Sequence, residues 1–139
     1  METVFEKIIK REIPAHIVYE DDVVLAFLDI TQATKGHTLV VPKGAYPDIF
    51  SLPEDVAGHL FSVVTKLSKA IKKAFNPDGL NTLNNNGSFA SQSVFHFHVH
   101  IIPRYIGDDF KNVLMVNHVS SLTKEDYLQT KDSIKAALL

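Results

Sequence analysis

Three histidines stand at alternate positions in the segment SVFHFHVHII: His96, His98 and His100. In a β-strand, side chains two apart share a face, so this spacing predicts three imidazoles on one side. Phe95, Phe97, Val99 and Ile101 fall on the other side and read as a core face. Three chemistries fit such a row. The first is none: histidines on a half-exposed strand with no special role. The second is a metal site, since histidine is a common zinc ligand. The outer two α-carbons of an extended row lie about 13 Å apart, too far for all three to converge on one ion. A metal would need two of them plus another ligand, such as His37 or an aspartate. The third is covalent catalysis. A neutral imidazole is a good nucleophile near pH 7, and flanking histidines can bind phosphate oxygens or protonate a leaving group.

The elements that would carry this row read as follows. Val4, Phe5, Ile8 and Ile9 are spaced for a short amphipathic helix, closed by or shortly before Pro14. Ile17–Glu20 and Val23–Asp29 are β-type runs separated by the polar pair Asp21 and Asp22, which suits a hairpin. A third run, His37–Val41, stops at Pro42. Glu54–Phe75 is the longest helix, with an apolar stripe from Val56 through Leu60, Val63, Val64, Leu67 and Ile71 to Ala74. Ser51 and Glu54 have capping-box spacing, and Pro53 suits the first turn. Lys66, Lys69, Lys72 and Lys73 read as its solvated face. A turn at Asn76–Gly79 leads to a weak strand, Leu80–Asn84, then a polar loop to Gln92 and the triad strand, Val94–Ile102. Thr123 and Asp126 mark the start of a last helix, 123–138, with Tyr127, Ile134 and Leu138 on its apolar face. Strands, one long helix and strands again predict an α+β domain with a mainly antiparallel sheet.

Composition narrows the function. The chain has 139 residues, enough for one domain, with 45% hydrophobic and 22% charged residues. It has no cysteine, which excludes disulfides, thiolate zinc sites and a cysteine nucleophile. A formal charge of -2 speaks against a nucleic-acid binder that neutralises phosphates. The longest apolar run, Val23–Leu28, is far short of a membrane span. The N-terminal residues carry scattered charges and no apolar leader core, so the expected compartment is the cytoplasm.

HFHVHII also matches the His-x-His-x-His pattern, followed by two hydrophobic residues, of the histidine triad (HIT) proteins. FEKIIKREIPAHIVYEDD, LAFLDI, GHTLVVPK and QSVFHFHVH resemble the branch of nucleoside phosphoramidases and their bacterial relatives. The resemblance covers 4–105 and leaves 106–139 without a matched motif, so the expectation is one HIT domain: a motif-bearing core, 1–105, and a C-terminal extension. It implies a five-stranded antiparallel sheet with a long helix, continued across a homodimer. It implies a nucleotide substrate, with purine expected, attacked at the α-phosphorus by His98 to give a nucleotidyl-histidine. His100 would hold phosphate oxygens and assist proton transfer, with His96 and His37 behind. Ser93 would sit near the leaving group. Asp29 would bind the ribose hydroxyls. Phe5, Ile8, Ile13, Phe27 and Ile30 would wall the base, and Asn85, Gln92 and Ser93 would surround the phosphate. No cofactor or metal is implied for the chemistry. Another branch of the family cleaves dinucleoside polyphosphates, and a nucleotide-binding module without catalysis is a further alternative.

Two departures from the family pattern stand out. Some bacterial relatives bind a structural zinc through Cys-x-x-Cys near the N-terminus, where this chain has Thr3 and Glu6. The residue before Gln92, commonly glycine, is Ser91. His16, His59 and His118 match no triad role and read as ordinary.

Overall fold

A computed structural model describes residues 2–111 and 115–138. Thr3 opens the first helix, α1 (Val4–Ile9), with a capping box: its hydroxyl accepts from the Glu6 N–H, and the Glu6 carboxylate accepts from the Thr3 N–H. The helix stops well before Pro14, where Arg11 takes a positive φ of 64°. Strand β1 (Ile17–Glu20) turns into β2 (Val24–Leu28) around Asp21. One Asp21 oxygen accepts the N–H groups of Val23 and Val24, both at 2.8 Å, which builds the turn from a side chain. The other oxygen meets Tyr19 Oη and His59 Nε2, so this turn is also tied to the long helix.

Strand β3 (Thr38–Pro42) runs back antiparallel to β2, from Leu28↔Thr38 to Val24↔Pro42. Helix α2 (Glu54–Phe75) follows, then β4 (Gly79–Leu83) and β5 (Val99–Arg104). The sheet is antiparallel throughout, in the order β1-β2-β3-β5-β4. Alternation splits its residues cleanly. Val24, Ala26, Val40, Val99 and Ile101 pack with Leu60, Val63, Val64, Leu67 and Ile71 of α2. Leu25, Phe27, Leu39 and Val41 face the opposite way, against Phe5 and Ile8 of α1. Gly36, at φ 97°, lies where an added Cβ would come within 3.1–3.2 Å of Phe75 and Pro103. Only glycine lets the chain pass there and deliver His37 to the site.

Four expectations need correction. The triad strand begins at Val99 and not at Val94. Its neighbour β3 ends at Pro42, which has no N–H to continue a ladder, so 94–98 have no strand to join. Phe97 N–H donates instead to the Tyr46 carbonyl at 2.7 Å, and Asn84 Nδ2 donates to the His98 carbonyl at 2.9 Å. Phe95 falls in the resulting bend and is 47% exposed, so the core face is Phe97, Val99 and Ile101. Ser51 does not cap α2: Pro53 is the N-cap residue, and the Ser51 hydroxyl is spent on Asp48. The last helix, α3 (Lys124–Ala137), has its Thr123–Asp126 capping box, but Tyr127, Ile134 and Leu138 are exposed and pack into no core among the described residues.

Candidate active site

Although His96 and His98 lie outside a strand, the three imidazoles keep to the α1 side of the sheet. The Phe5 ring lies 6.3 Å from the ring of His96 and 5.0 Å from that of His98, and His98 is 5.0 Å from His100. His37, just before β3, reaches His100 on the neighbouring strand.

Hydrogen-bond partners fix the tautomers. His98 Nδ1 sits 2.7 Å from the His96 carbonyl, an acceptor, so Nδ1 carries the proton and Nε2 keeps its lone pair. His96 Nε2 likewise donates to the Pro42 carbonyl at 2.7 Å, which leaves its buried Nδ1 bare and without a partner among the described residues. The Ala33 N–H donates to His37 Nδ1 at 3.2 Å. His37 Nε2 therefore bears the proton and donates it to His100 Nδ1 at 2.9 Å. His100 is left with its own N–H on Nε2. The result is a bare nitrogen on His98 beside a donor on His100.

Burial lowers the pKa of all four histidines, because desolvation disfavours the charged form. His100 falls furthest, to about 4; after burial, His98 and His37 push it down, while Asp29 opposes them. Burial acts on Asp29 in the raising direction, but hydrogen bonds from the Thr31 hydroxyl and N–H, with His37 and His100 nearby, hold its carboxyl below the ordinary value. Both Thr31 groups use Oδ1. Oδ2 stays available, 3.6 Å from His37 Nε2.

A cavity of about 540 Å³ opens in front of His98 and His100. Asp29 and Ser93 share this polar end, and the Ser93 hydroxyl has no partner among the described residues. Phe5, Ile8, Ile13, Phe27 and Ile30 line the apolar part, although Ile30 is 88% exposed and lies at the rim. Other expected residues lie elsewhere. His96 is buried and outside the lining, and His37, also outside it, reaches the site through His100 and beside Asp29. Asn85 is outside the lining and turns its amide toward the Ser91 carbonyl at 3.4 Å. Gln92 is buried and fully used as a clamp: its Oε1 accepts from the Gly87 N–H, and its Nε2 donates to the carbonyls of Pro47 and Val94. Asn85 and Gln92, expected around the phosphate, thus lie outside the cavity lining, and Gln92 shapes the loop that presents Ser93. Ser91 adopts φ 72°, ψ 20°, so the chain takes a glycine-like conformation there without the glycine. Of the lining residues not expected at the site, one is polar: His16, read as ordinary, borders the cavity. Its proximity in sequence to Ile13 was the available signal.

Donor atoms of Asp29, His37 and His100 lie within 4.8 Å of one another, so among the described residues this is the group that could hold a metal ion. It contains only one member of the triad. An ion on His37 Nε2 would displace the proton shared with His100 and set a protonated Nδ1 against the Ala33 N–H. The hydrogen bonds thus fit an imidazole pair better than a metal centre. Thr3 and Glu6, at the positions of the zinc cysteines of some relatives, are engaged in capping each other.

A family model described as the HIT domain matches residues 10–107. The chain belongs to the HIT family. The likeness extends beyond the family core. A HIT family protein from Bacillus anthracis, solved by crystallography, superposes with a TM-score of 0.94 at 50% identity, covering 96% of this chain and 95% of that one. Protein hit of Bacillus subtilis is 47% identical over 97% of this chain and 93% of its own length. A relative from Schizosaccharomyces pombe, named adenosine 5'-monophosphoramidase hnt1, is 40% identical over 75% of each chain. Among the described residues no helix of this HIT protein is long and apolar enough to cross a membrane.

Proposed function

We propose that this HIT protein is a nucleotide hydrolase or transferase acting at the α-phosphorus of purine nucleoside 5'-phosphoramidates or related nucleotide conjugates. The observation that carries the reading is the bond from His98 Nδ1 to the His96 carbonyl. It leaves Nε2 of a neutral imidazole as a nucleophile, in a residue lining a cavity with an apolar slot and a free carboxylate oxygen. The slot takes the base, and Asp29 Oδ2 accepts from the ribose hydroxyls. The name of the Schizosaccharomyces pombe relative supports the same substrate class.

In the substrate complex His100 stays neutral: its Nδ1 accepts the His37 N–H, and its Nε2–H donates to a phosphate oxygen beside the leaving group. The lone pair of His98 Nε2 attacks phosphorus. An N–P bond forms as the P–N bond to the leaving amine breaks, and the amine nitrogen takes both that electron pair and a proton from solvent. Water then attacks phosphorus and gives up its proton to solvent. The bond to His98 breaks, its electron pair returns to Nε2, and a nucleoside monophosphate leaves. His37 keeps the His100 ring oriented throughout, and the Ser93 hydroxyl donates to the leaving group or the phosphate.

We also infer a homodimer joined through β4. This edge strand, GLNTL, carries no charge and no proline, the usual protections of a free edge. The opposite edge, β1, carries Glu20, which is ion-paired with Arg11 and Lys43.

The direct test is release of AMP from adenosine 5'-phosphoramidate, followed by chromatography for wild type and His98→Ala. Turnover in the variant should fall by about 10³-fold or more while AMP still binds. Full turnover in the variant would overturn the reading.

A further inference from the structure

Of the side chains that line the cavity, five are polar: Asp29, Ser93, His98, His100 and His16. The first four are assigned above to ribose and phosphate. His16 has no task in that scheme. It is exposed, and among the described residues its ring has no hydrogen bond or ion pair. Its place is nevertheless fixed. The Leu28 N–H donates to the His16 carbonyl at 2.9 Å, which pins the residue beside β2, opposite the approach to Asp29. The other lining residues next to it in sequence, Ile13, Pro14 and Ala15, have no polar side-chain atom.

A purine enclosed by apolar walls buries its faces well, but its edge still carries the N7 acceptor and the 6-substituent. A neutral imidazole offers one N–H and one lone pair. Since no described residue fixes its tautomer, the ring can present either to that edge. We propose that His16 is a specificity-determining residue that hydrogen-bonds the edge of a purine base held in the apolar slot. This inference rests on the nucleotide reading above and adds to it the group that ranks bases. It also accounts for a polar ring at the border of a slot whose neighbouring residues are apolar.

The experiment measures binding of AMP, 7-deaza-AMP and purine riboside monophosphate to wild type, His16→Ala and His16→Phe. The backbone carbonyl, not the ring, holds Leu28, so neither substitution removes the strand contact. His16→Phe keeps an aromatic ring and separates hydrogen bonding from packing. In wild type at least one analogue should bind about 3- to 10-fold more weakly than AMP, the worth of one neutral hydrogen bond. In both variants that gap should close. An unchanged ranking in the variants overturns the role of His16, and so does equal binding of all three ligands to wild type. Failure of wild type to bind any of the three would overturn the nucleotide reading itself, and with it this inference.

Discussion

His37 Nε2, just before β3, and His100 Nδ1, in β5, lie 2.9 Å apart, joined by a hydrogen bond whose direction is set by the Ala33 N–H on the far side of His37. This bond leaves His100 with its remaining N–H on Nε2, beside the bare nitrogen of His98. His37 is therefore a positioning residue. His37→Ala should lower kcat about 10²-fold, a typical cost of losing an oriented hydrogen-bond donor to the transition state, with KM little changed. A variant with normal kcat and raised KM would instead place His37 in substrate binding.

The histidines also predict how the protein responds to acid. His37, His96, His98 and His100 all have folded pKa values lowered by burial. As pH falls through the ordinary histidine value near 6.5, the unfolded chain takes up these protons first. The stabilisation is complete above that value and is lost on the way down, continuing until His100 titrates at about 4. Calorimetry from pH 7.5 to 4.5 should thus show a falling Tm, with a shallower slope in His96→Gln. A Tm that holds or rises over this interval would contradict the assignment of these rings as buried and neutral. For the same reason the acid limb of kcat/KM, reporting His98 in the free enzyme, should lie below pH 6.5.

Much of this arrangement was legible in the sequence. The bounds of α2 follow from an apolar stripe that ends at Ala74, shortly before Asn76, the left-handed C-cap. The shared side of the triad was readable from its alternation, even though the strand itself begins only at Val99. What was not legible depends on distant partners. Phe95 is exposed because the chain bends where Phe97 bonds to Tyr46, 51 positions earlier. The contacts of Gln92 with Gly87, Pro47 and Val94 could not be read from its neighbours in sequence. His16 has no periodic pattern to distinguish it and becomes notable only when the cavity forms beside it. Local spacing reports which face a residue takes, not which remote carbonyl claims it.

Ser91 gives a test of backbone strain. Its φ of 72° lies in the left-handed region that favours glycine. Ser91→Gly should stabilise the protein by about 0.5–1 kcal/mol, raising Tm by roughly 1–4 °C. A lower Tm would mean that the serine makes a compensating contact in this loop.

The edge strand supplies a separate prediction. Light scattering at micromolar concentration should give the mass of a dimer. Thr82→Lys, which adds charge to exposed β4, should shift the population toward monomer. Monomeric wild type would count against the proposed joining of sheets, while an unaffected dimer in the variant would move the interface elsewhere.

The central claim is a covalent bond between His98 and the α-phosphorus. Intact-protein mass spectrometry after rapid mixing with adenosine 5'-phosphoramidate, quenched in mild base to preserve an N–P linkage, tests it most directly. The account predicts a transient adduct with the mass of one adenylyl group, located on His98 by peptide mapping and absent from His98→Ala. Steady AMP release from wild type with no adduct at any mixing time, or the adduct persisting in His98→Ala, would contradict it.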